Sequence, residues 1–212
     1  MNLKINTLLT PNNLTLARLG LSAGFFVVVA NCKPGGEGHW LFDLAIVVFV
    51  LAALSDMVDG YLARRYGMET SIGRMLDPFV DKVMICGSFI FFLGANFVVD
   101  GKNVTDVAPW IVTVVAAREL LVTTLRGHSE SKGQAFPASV AGKVKMFLQS
   151  VTVVVVLFTV GHYGKEPSAG NVRLIFLWVM VITTLVSMVG YILKYFSLNR
   201  SPNIPESGTT ND

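Results

Sequence analysis

The sequence predicts an all-α integral membrane protein with six transmembrane helices. Of its 212 residues, 52% are hydrophobic and only 15% are charged, and the mean hydropathy is +0.58. A soluble domain carries roughly a quarter charged residues, so much of this surface is expected to face lipid. Crossing a bilayer takes about 20 apolar residues, and six runs meet that need: 12–31, 41–65, 72–99, 106–126, 141–161 and 171–196.

These runs form one domain. Pro11 and Asn12 suit the start of the first helix, and neither internal repeats nor low-complexity tracts divide the chain. We therefore expect a single catalytic six-helix domain at 1–199 and a polar, disordered tail at 200–212.

The distribution of basic residues predicts the orientation. Six spans place both termini on one side, and the opposite side keeps only Lys33, Lys102, Lys165 and Arg173, so thirteen of the 17 basic residues share the side of the termini. Lysine and arginine accumulate on the cytoplasmic side of membranes. A cytoplasmic membrane with both termini inside is thus predicted. The basic face suits anionic headgroups and phosphorylated substrates, whereas nothing resembles a nucleic-acid recognition module.

Four aspartates lie where apolar residues are expected. Asp56, Asp59, Gly60 and Arg64 recur along one helical stripe at the end of the second run. Gly73, Asp77 and Asp81 recur at steps of four in the third run. The two sets of acids thus belong to consecutive predicted helices joined by a short connection. We therefore expect two antiparallel acidic stripes that face each other.

The cost of this arrangement indicates a metal site. One aspartate at the centre of a span costs about 2.5–3.5 kcal/mol, and four cost on the order of 10 kcal/mol, comparable with the stability of a domain. Divalent cations offset that cost, and oxygen ligands select Mg²⁺, Mn²⁺ or Ca²⁺. Two such ions suit displacement at phosphorus. The structural alternative is that the acids form ion pairs and the glycines allow close helix packing.

The segment resembles the signature of the CDP-alcohol phosphotransferase family, D-x-x-D-G-x-x-A-R-(x8)-G-x-x-x-D-x-x-x-D. Every fixed position matches, at Asp56, Asp59, Gly60, Ala63, Arg64, Gly73, Asp77 and Asp81. Residues near the start of the first span, Asn12, Thr15 and Arg18, are also similar to the family. The likeness covers roughly residues 8–196 and implies the family's six-helix fold, with the active site near the cytoplasmic membrane face.

The resemblance implies a role for each matched residue. One or two Mg²⁺ or Mn²⁺ ions would be held by Asp56, Asp59, Asp77 and Asp81. The CDP part of the lipid donor, CDP-diacylglycerol, would be contacted by Asn12, Thr15, Gly60, Arg64 and Gly73. Asp81 would also take the proton from the acceptor hydroxyl, which attacks the β-phosphorus and releases CMP. A homodimer is implied as well.

Four cations indicate the acceptor. Arg118, Arg126, Lys143 and Lys145 exceed what topology requires, and Glu119 could orient one of them. Such a cluster suits an acceptor that carries a phosphate. The runs A-R-E-L-L-V-T-T-L-R at 117–126 and G-K-V-K at 142–145 resemble the bacterial phosphatidylglycerophosphate synthases, which implies glycerol 3-phosphate. The alternative for single cations is interface anchoring.

Two other functions are compatible with these residues. The same chemistry would serve another acceptor, such as phosphatidylglycerol for cardiolipin, or inositol phosphate. A cation transporter would also place acids within spans, but it would distribute them along a path, whereas these lie near one face.

Overall fold

The computed structural model describes residues 11–36, 38–66, 71–133, 140–164 and 166–200. Within the helices, the side chains of residues 11–17, 56–66, 71–78, 81, 140 and 198–200 lie outside the description. The structure describes the other side chains and the backbone of these ranges.

Each of the six predicted apolar runs lies within or overlaps one long α-helix. The helices are α1 (Pro11–Asn31), α2 (His39–Tyr66), α3 (Ser71–Phe91), α4 (Pro109–Ser131), α5 (Val140–Tyr163) and α6 (Pro167–Arg200). Between α3 and α4 lie a 3₁₀ helix (Ala95–Phe97) and a two-stranded antiparallel hairpin of β1 (Val98–Val99) and β2 (Lys102–Asn103). The prediction of a mostly helical chain is confirmed.

The prediction for the third run was wrong at its C-terminal end. We expected helix to residue 99, but α3 ends at Phe91. The hairpin turns through Asp100 and Gly101, whose φ angles are 52° and 77°, and an Asp-Gly pair favours this kind of tight turn. The Asn103 side-chain amide then donates to the carbonyl of Phe92 at 2.8 Å, which satisfies a backbone acceptor just beyond the helix.

The helices pack around a core rich in phenylalanine. α1 contacts α2 and α3, α5 contacts α2 and α6, and α4 contacts α6. Phe25 of α1 meets Phe49 of α2 with 5.5 Å between ring centroids, and Phe92 meets Phe97 at 5.8 Å. The first pair is tilted and joins α1 to α2, whereas the second is edge-on, a favourable aromatic geometry, and packs the 3₁₀ helix against the end of α3.

Two glycines allow neighbouring helices to approach closely. A Cβ added at Gly87 of α3 would lie 2.4 Å from the Phe26 ring of α1, and one at Gly161 of α5 would lie 2.7 Å from Phe42 of α2. Both distances are far inside van der Waals contact. The spacing of α1 from α3, and of α2 from α5, therefore depends on the absence of a side chain.

Within the described residues, two helices are long and apolar enough to cross a membrane, over Ala141–Tyr163 and Pro167–Ser197. Shorter apolar segments occur in α1, α2 and α3. Large apolar side chains are exposed along α6, including Ile175, Ile182 and Leu193, the last at 64%. At 1.5 Å per residue, the 34 residues of α6 extend about 51 Å, longer than the ~30 Å hydrocarbon core of a bilayer.

Candidate active site

A small cavity marks the place where the acid-bearing helices converge. It is lined by Arg18 of α1, Phe49, Ala52 and Ala53 of α2, Val80, Met84 and Ile85 of α3, and Ser150 of α5. α2 and α3 thus face a common space, with α1 packed against both. Among the described residues that line the cavity, only Arg18 and Ser150 are polar.

The cavity gives the register of the predicted acids. Position 56 follows Ala52 by one helical turn in α2, and position 81 precedes Ile85 by one turn in α3. Residues four apart share a helix face, so backbone geometry places both positions on the stripes that line the cavity.

The side chains themselves lie outside the described part of the structure. This holds for Asp56, Asp59, Gly60, Arg64, Gly73, Asp77 and Asp81, and for Asn12 and Thr15. Their predicted roles remain predictions. Among the side chains that are described, no group of three histidine, cysteine, aspartate or glutamate residues could hold a metal ion. The four predicted aspartates provide carboxylate oxygens, and such ligands suit a hard divalent ion.

Arg18 is a buried cation at the edge of this cavity. Its side chain comes from the first helix and only 4% of the residue is exposed. The next turn is polar as well, since the Ser22 hydroxyl donates to the Arg18 carbonyl at 2.9 Å. A guanidinium beside the acidic stripes favours negatively charged groups there, because opposite charges attract strongly where water is excluded.

A second charged cluster lies buried between α4 and α5. The Lys145 ammonium contacts the Glu119 carboxylate closely, and Nη1 of Arg118 lies 3.4 Å from both oxygens of that carboxylate. All three residues are at most 7% exposed. Two cations share one carboxylate, so these three side chains alone carry a net positive charge. That charge suits an anion.

Arg118 also contacts α6. Its Nη2 donates to the Ser187 hydroxyl at 2.7 Å, and its guanidinium carbon lies 5.4 Å from the centroid of the Tyr191 ring. A cation this close to an aromatic face is attracted to it. Neither Ser187 nor Tyr191 was predicted from the sequence. The available signal was a serine within an otherwise apolar run, which is weak by itself.

The structure does not bring all four predicted acceptor cations together. Arg118 and Lys145 are buried in one cluster, whereas Lys143 is exposed and the Arg126 side chain is 46% exposed. Arg126 pairs instead with Glu130, one turn along α4, at 3.7 Å. Glu119 contacts both buried cations rather than one.

The two cysteines, Cys32 and Cys86, are not joined in a disulfide. Cys32 follows α1 and is fully buried, and this burial raises its pKa from 9.0 to about 11. The neutral thiol is therefore favoured over the reactive thiolate.

A bundle of apolar helices with charged side chains in its interior defines a helical membrane protein with an internal polar site. The chain belongs to the CDP-alcohol phosphatidyltransferase family, whose model matches residues 8–189. The match includes the acidic stripes of α2 and α3 and the Arg118–Glu119–Lys145 cluster.

Similar proteins occur in several bacteria. A Bacillus subtilis (strain 168) protein named CDP-diacylglycerol–glycerol-3-phosphate 3-phosphatidyltransferase is 32% identical over 197 residues, which is 89% of this chain and 94% of that protein. One of the same name from Rickettsia bellii (strain RML369-C) is 30% identical, over 88% of this chain and 96% of its own. A probable phosphatidylglycerophosphate synthase from Mycobacterium tuberculosis (strain ATCC 25618 / H37Rv) is 33% identical, over 86% and 79%.

Proposed function

We propose that this chain transfers the phosphatidyl group from CDP-diacylglycerol to glycerol 3-phosphate, giving phosphatidylglycerophosphate and CMP. The observation that carries the proposal is the buried cluster of Arg118, Glu119 and Lys145, in which two cations contact one carboxylate and form a positive site that suits a phosphate. The names of the Bacillus and Rickettsia relatives support the same donor and acceptor.

The acceptor phosphate binds to the buried pair, Arg118 and Lys145. Arginine supplies a planar set of N–H donors and lysine a compact charge, and both suit a phosphate group. Arg126 and Lys143 are exposed, so they act earlier, by attracting the charged acceptor from solution. The four predicted cations therefore divide between binding and attraction.

The donor binds at the acidic stripes of α2 and α3. As the family resemblance implies, the residues that would hold Mg²⁺ or Mn²⁺ there are Asp56, Asp59, Asp77 and Asp81, and such an ion would neutralise charge on the diphosphate. Contacts to the CDP portion come from Asn12, Thr15, Gly60, Arg64 and Gly73.

The transfer itself is a displacement at phosphorus. Asp81 accepts the proton of the acceptor hydroxyl as its oxygen forms a bond to the β-phosphorus of the donor. The bond from that phosphorus to the bridging oxygen breaks, and CMP leaves with the bonding electron pair. Arg118 and Lys145 hold the acceptor in place during the attack, which converts a bimolecular step into an oriented one.

The six helices are proposed to be six membrane spans in a bacterial cytoplasmic membrane. The apolar lengths of α5 and α6 and the apolar segments of α1, α2 and α3 support this placement. The basic bias predicts both termini and the active site on the cytoplasmic side. A homodimer is proposed from the family resemblance.

CMP release by the purified protein tests the function. With CDP-diacylglycerol in mixed micelles, release should require both glycerol 3-phosphate and Mg²⁺ or Mn²⁺, and a chelator should stop it. Release with phosphatidylglycerol or inositol phosphate, and none with glycerol 3-phosphate, would replace the proposed acceptor. Ion flux without CMP release would indicate that the protein is a transporter and not an enzyme.

A matched pair of variants tests the acidic site. Asp59→Asn should abolish CMP release, because it removes a proposed metal ligand. Asp43→Asn is the control on the same helix, since Asp43 is 53% exposed and pairs with His162 at 2.8 Å. Equal activity of the two variants would contradict the metal assignment.

A further inference from the structure

The orientation of Arg118 is set from a different helix. Arg118 belongs to α4, but its guanidinium donates a 2.7 Å hydrogen bond to Ser187 of α6. Tyr191, one turn further along α6, places its ring 5.4 Å from the guanidinium carbon. Ser187 is 1% exposed and Tyr191 is 5% exposed, so water does not compete at either contact.

The contact of Arg118 with Glu119 is weaker by comparison. Nη1 lies 3.4 Å from each carboxylate oxygen, whereas charge-assisted hydrogen bonds of this type are typically about 2.7–2.9 Å long. The same carboxylate is in close contact with Lys145. Glu119 therefore neutralises Arg118 without fixing it, and the α6 contacts determine where the guanidinium lies.

One N–H donor of the Arg118 guanidinium is not hydrogen-bonded within the described residues. Nε of Arg118 is buried and has no hydrogen-bond partner within the described part of the chain. Buried N–H groups are nearly always satisfied in proteins, and exceptions mark sites where a ligand or water completes the set. A phosphate oxygen beside Nε would complete it.

We propose that Ser187 and Tyr191 are positioning residues for the acceptor phosphate: they fix Arg118 from α6 so that its Nε donor is held ready for an oxygen of that phosphate. This inference rests on the proposed function. Arginine has large rotational freedom, and ordering it before the ligand arrives reduces the entropy lost on binding. Ser187 and Tyr191 act through Arg118, and the proposal gives them no contact with CDP-diacylglycerol or the metal.

The first test removes the hydroxyl. In the CMP-release assay with full-length protein, Ser187→Ala should raise the KM for glycerol 3-phosphate about tenfold, equivalent to about 1.4 kcal/mol. The kcat and the KM for CDP-diacylglycerol should stay within about twofold, because loss of uniform binding raises KM alone. Ser187→Thr, which restores a hydroxyl, should recover most of the affinity.

A control variant lies one turn away. Thr184 is fully buried on the same helix and its hydroxyl contacts Met180, with the oxygen 3.8 Å from the sulfur. Thr184→Ala should leave the KM for glycerol 3-phosphate at the wild-type value. It reports what a buried hydroxyl on α6 contributes through folding alone.

Tyrosine variants give an independent measurement if Ser187→Ala folds poorly. Tyr191→Phe keeps the aromatic face, and Tyr191→Leu removes it, so the leucine variant should show the higher KM for glycerol 3-phosphate. Thermal unfolding of each purified variant checks that folding is retained.

The outcomes separate the two proposals. If wild-type protein releases CMP with glycerol 3-phosphate, but Ser187→Ala and Thr184→Ala behave alike, the positioning role is overturned and the proposed function stands. Equal increases in both KM values would also overturn it, since a general structural defect has that effect. If wild-type protein releases no CMP with glycerol 3-phosphate, the proposed function fails and this role fails with it.

Discussion

Replacing Glu119 by glutamine removes a negative charge that two buried cations contact. The change keeps the size of the side chain and one acceptor oxygen, but it removes the charge that faces Arg118 and Lys145. The side chains of these three residues are 4–9% exposed, so solvent cannot replace the lost charge. We expect a large loss of stability.

The magnitude follows from the burial. Removing one partner of a buried ion pair costs about 3–5 kcal/mol, because the other charge is left without compensation. Glutamine keeps a hydrogen-bond acceptor for the Lys145 ammonium, so the expected loss in the free energy of unfolding is at the lower end, about 3 kcal/mol. A surface ion pair contributes about 0–1 kcal/mol by comparison.

Glu130→Gln is the matched control. Glu130 lies on the same helix and also pairs with an arginine, Arg126, but at 3.7 Å with side chains 62% and 46% exposed. The unfolding of wild type and both variants can be followed by circular dichroism in micelles with increasing fractions of SDS. The uncertainty of such comparisons is about 0.5 kcal/mol. If both variants lose the same free energy of unfolding within that uncertainty, the reasoning that burial makes Glu119 indispensable is refuted.

Three further perturbations test other parts of the structure. Arg173→Met should destabilise the protein by about 1–2 kcal/mol, measured by the same SDS titration, because it removes the ion pair with Asp106 at 2.8 Å, although the Asp106 carboxylate is 31% exposed and water solvates part of its charge. Cys32 should resist alkylation at pH 8 in folded protein, followed by mass spectrometry. Rapid alkylation at pH 8 would contradict the raised pKa. Because the pKa of Cys32 is about 11 in the folded protein and 9.0 ordinarily, the contribution of this thiol to stability should fall as the pH rises from 9.0 to about 11. Gly87→Ala should lower the Tm through overpacking of about 1–3 kcal/mol, whereas Gly190→Ala, with nothing within 4 Å of the new methyl, should not; a lower Tm in both would argue against a local clash.

The helices were predictable because apolar runs of sufficient length have few alternatives. The first run was expected at 12–31 and α1 spans Pro11–Asn31. The third run misled because Val98 and Val99 continue the apolar pattern after the chain has already turned. Hydropathy does not register such a turn. The Asp-Gly pair at 100–101 did carry the signal.

The buried cations were predictable from charge alone, but their partners were not. Arg118 and Lys145 stand out in apolar surroundings, and Glu119 is adjacent in sequence. Ser187 lies 69 residues from Arg118, and their contact depends on how α4 packs against α6. No local pattern encodes that distance, so only the three-dimensional structure shows it.

The contact between Gly87 and Phe26 has a consequence for variation in this protein. α1 carries Asn12 and Thr15 near its start, and α3 carries Asp81 six residues before Gly87, about 9 Å along the helix axis. A bulkier residue at this crossing point would wedge the two helices apart and splay the ends on which catalysis is expected to depend. Selection for enzymatic competence would then act on a position that touches no reactant, and an inactive natural variant could trace to it.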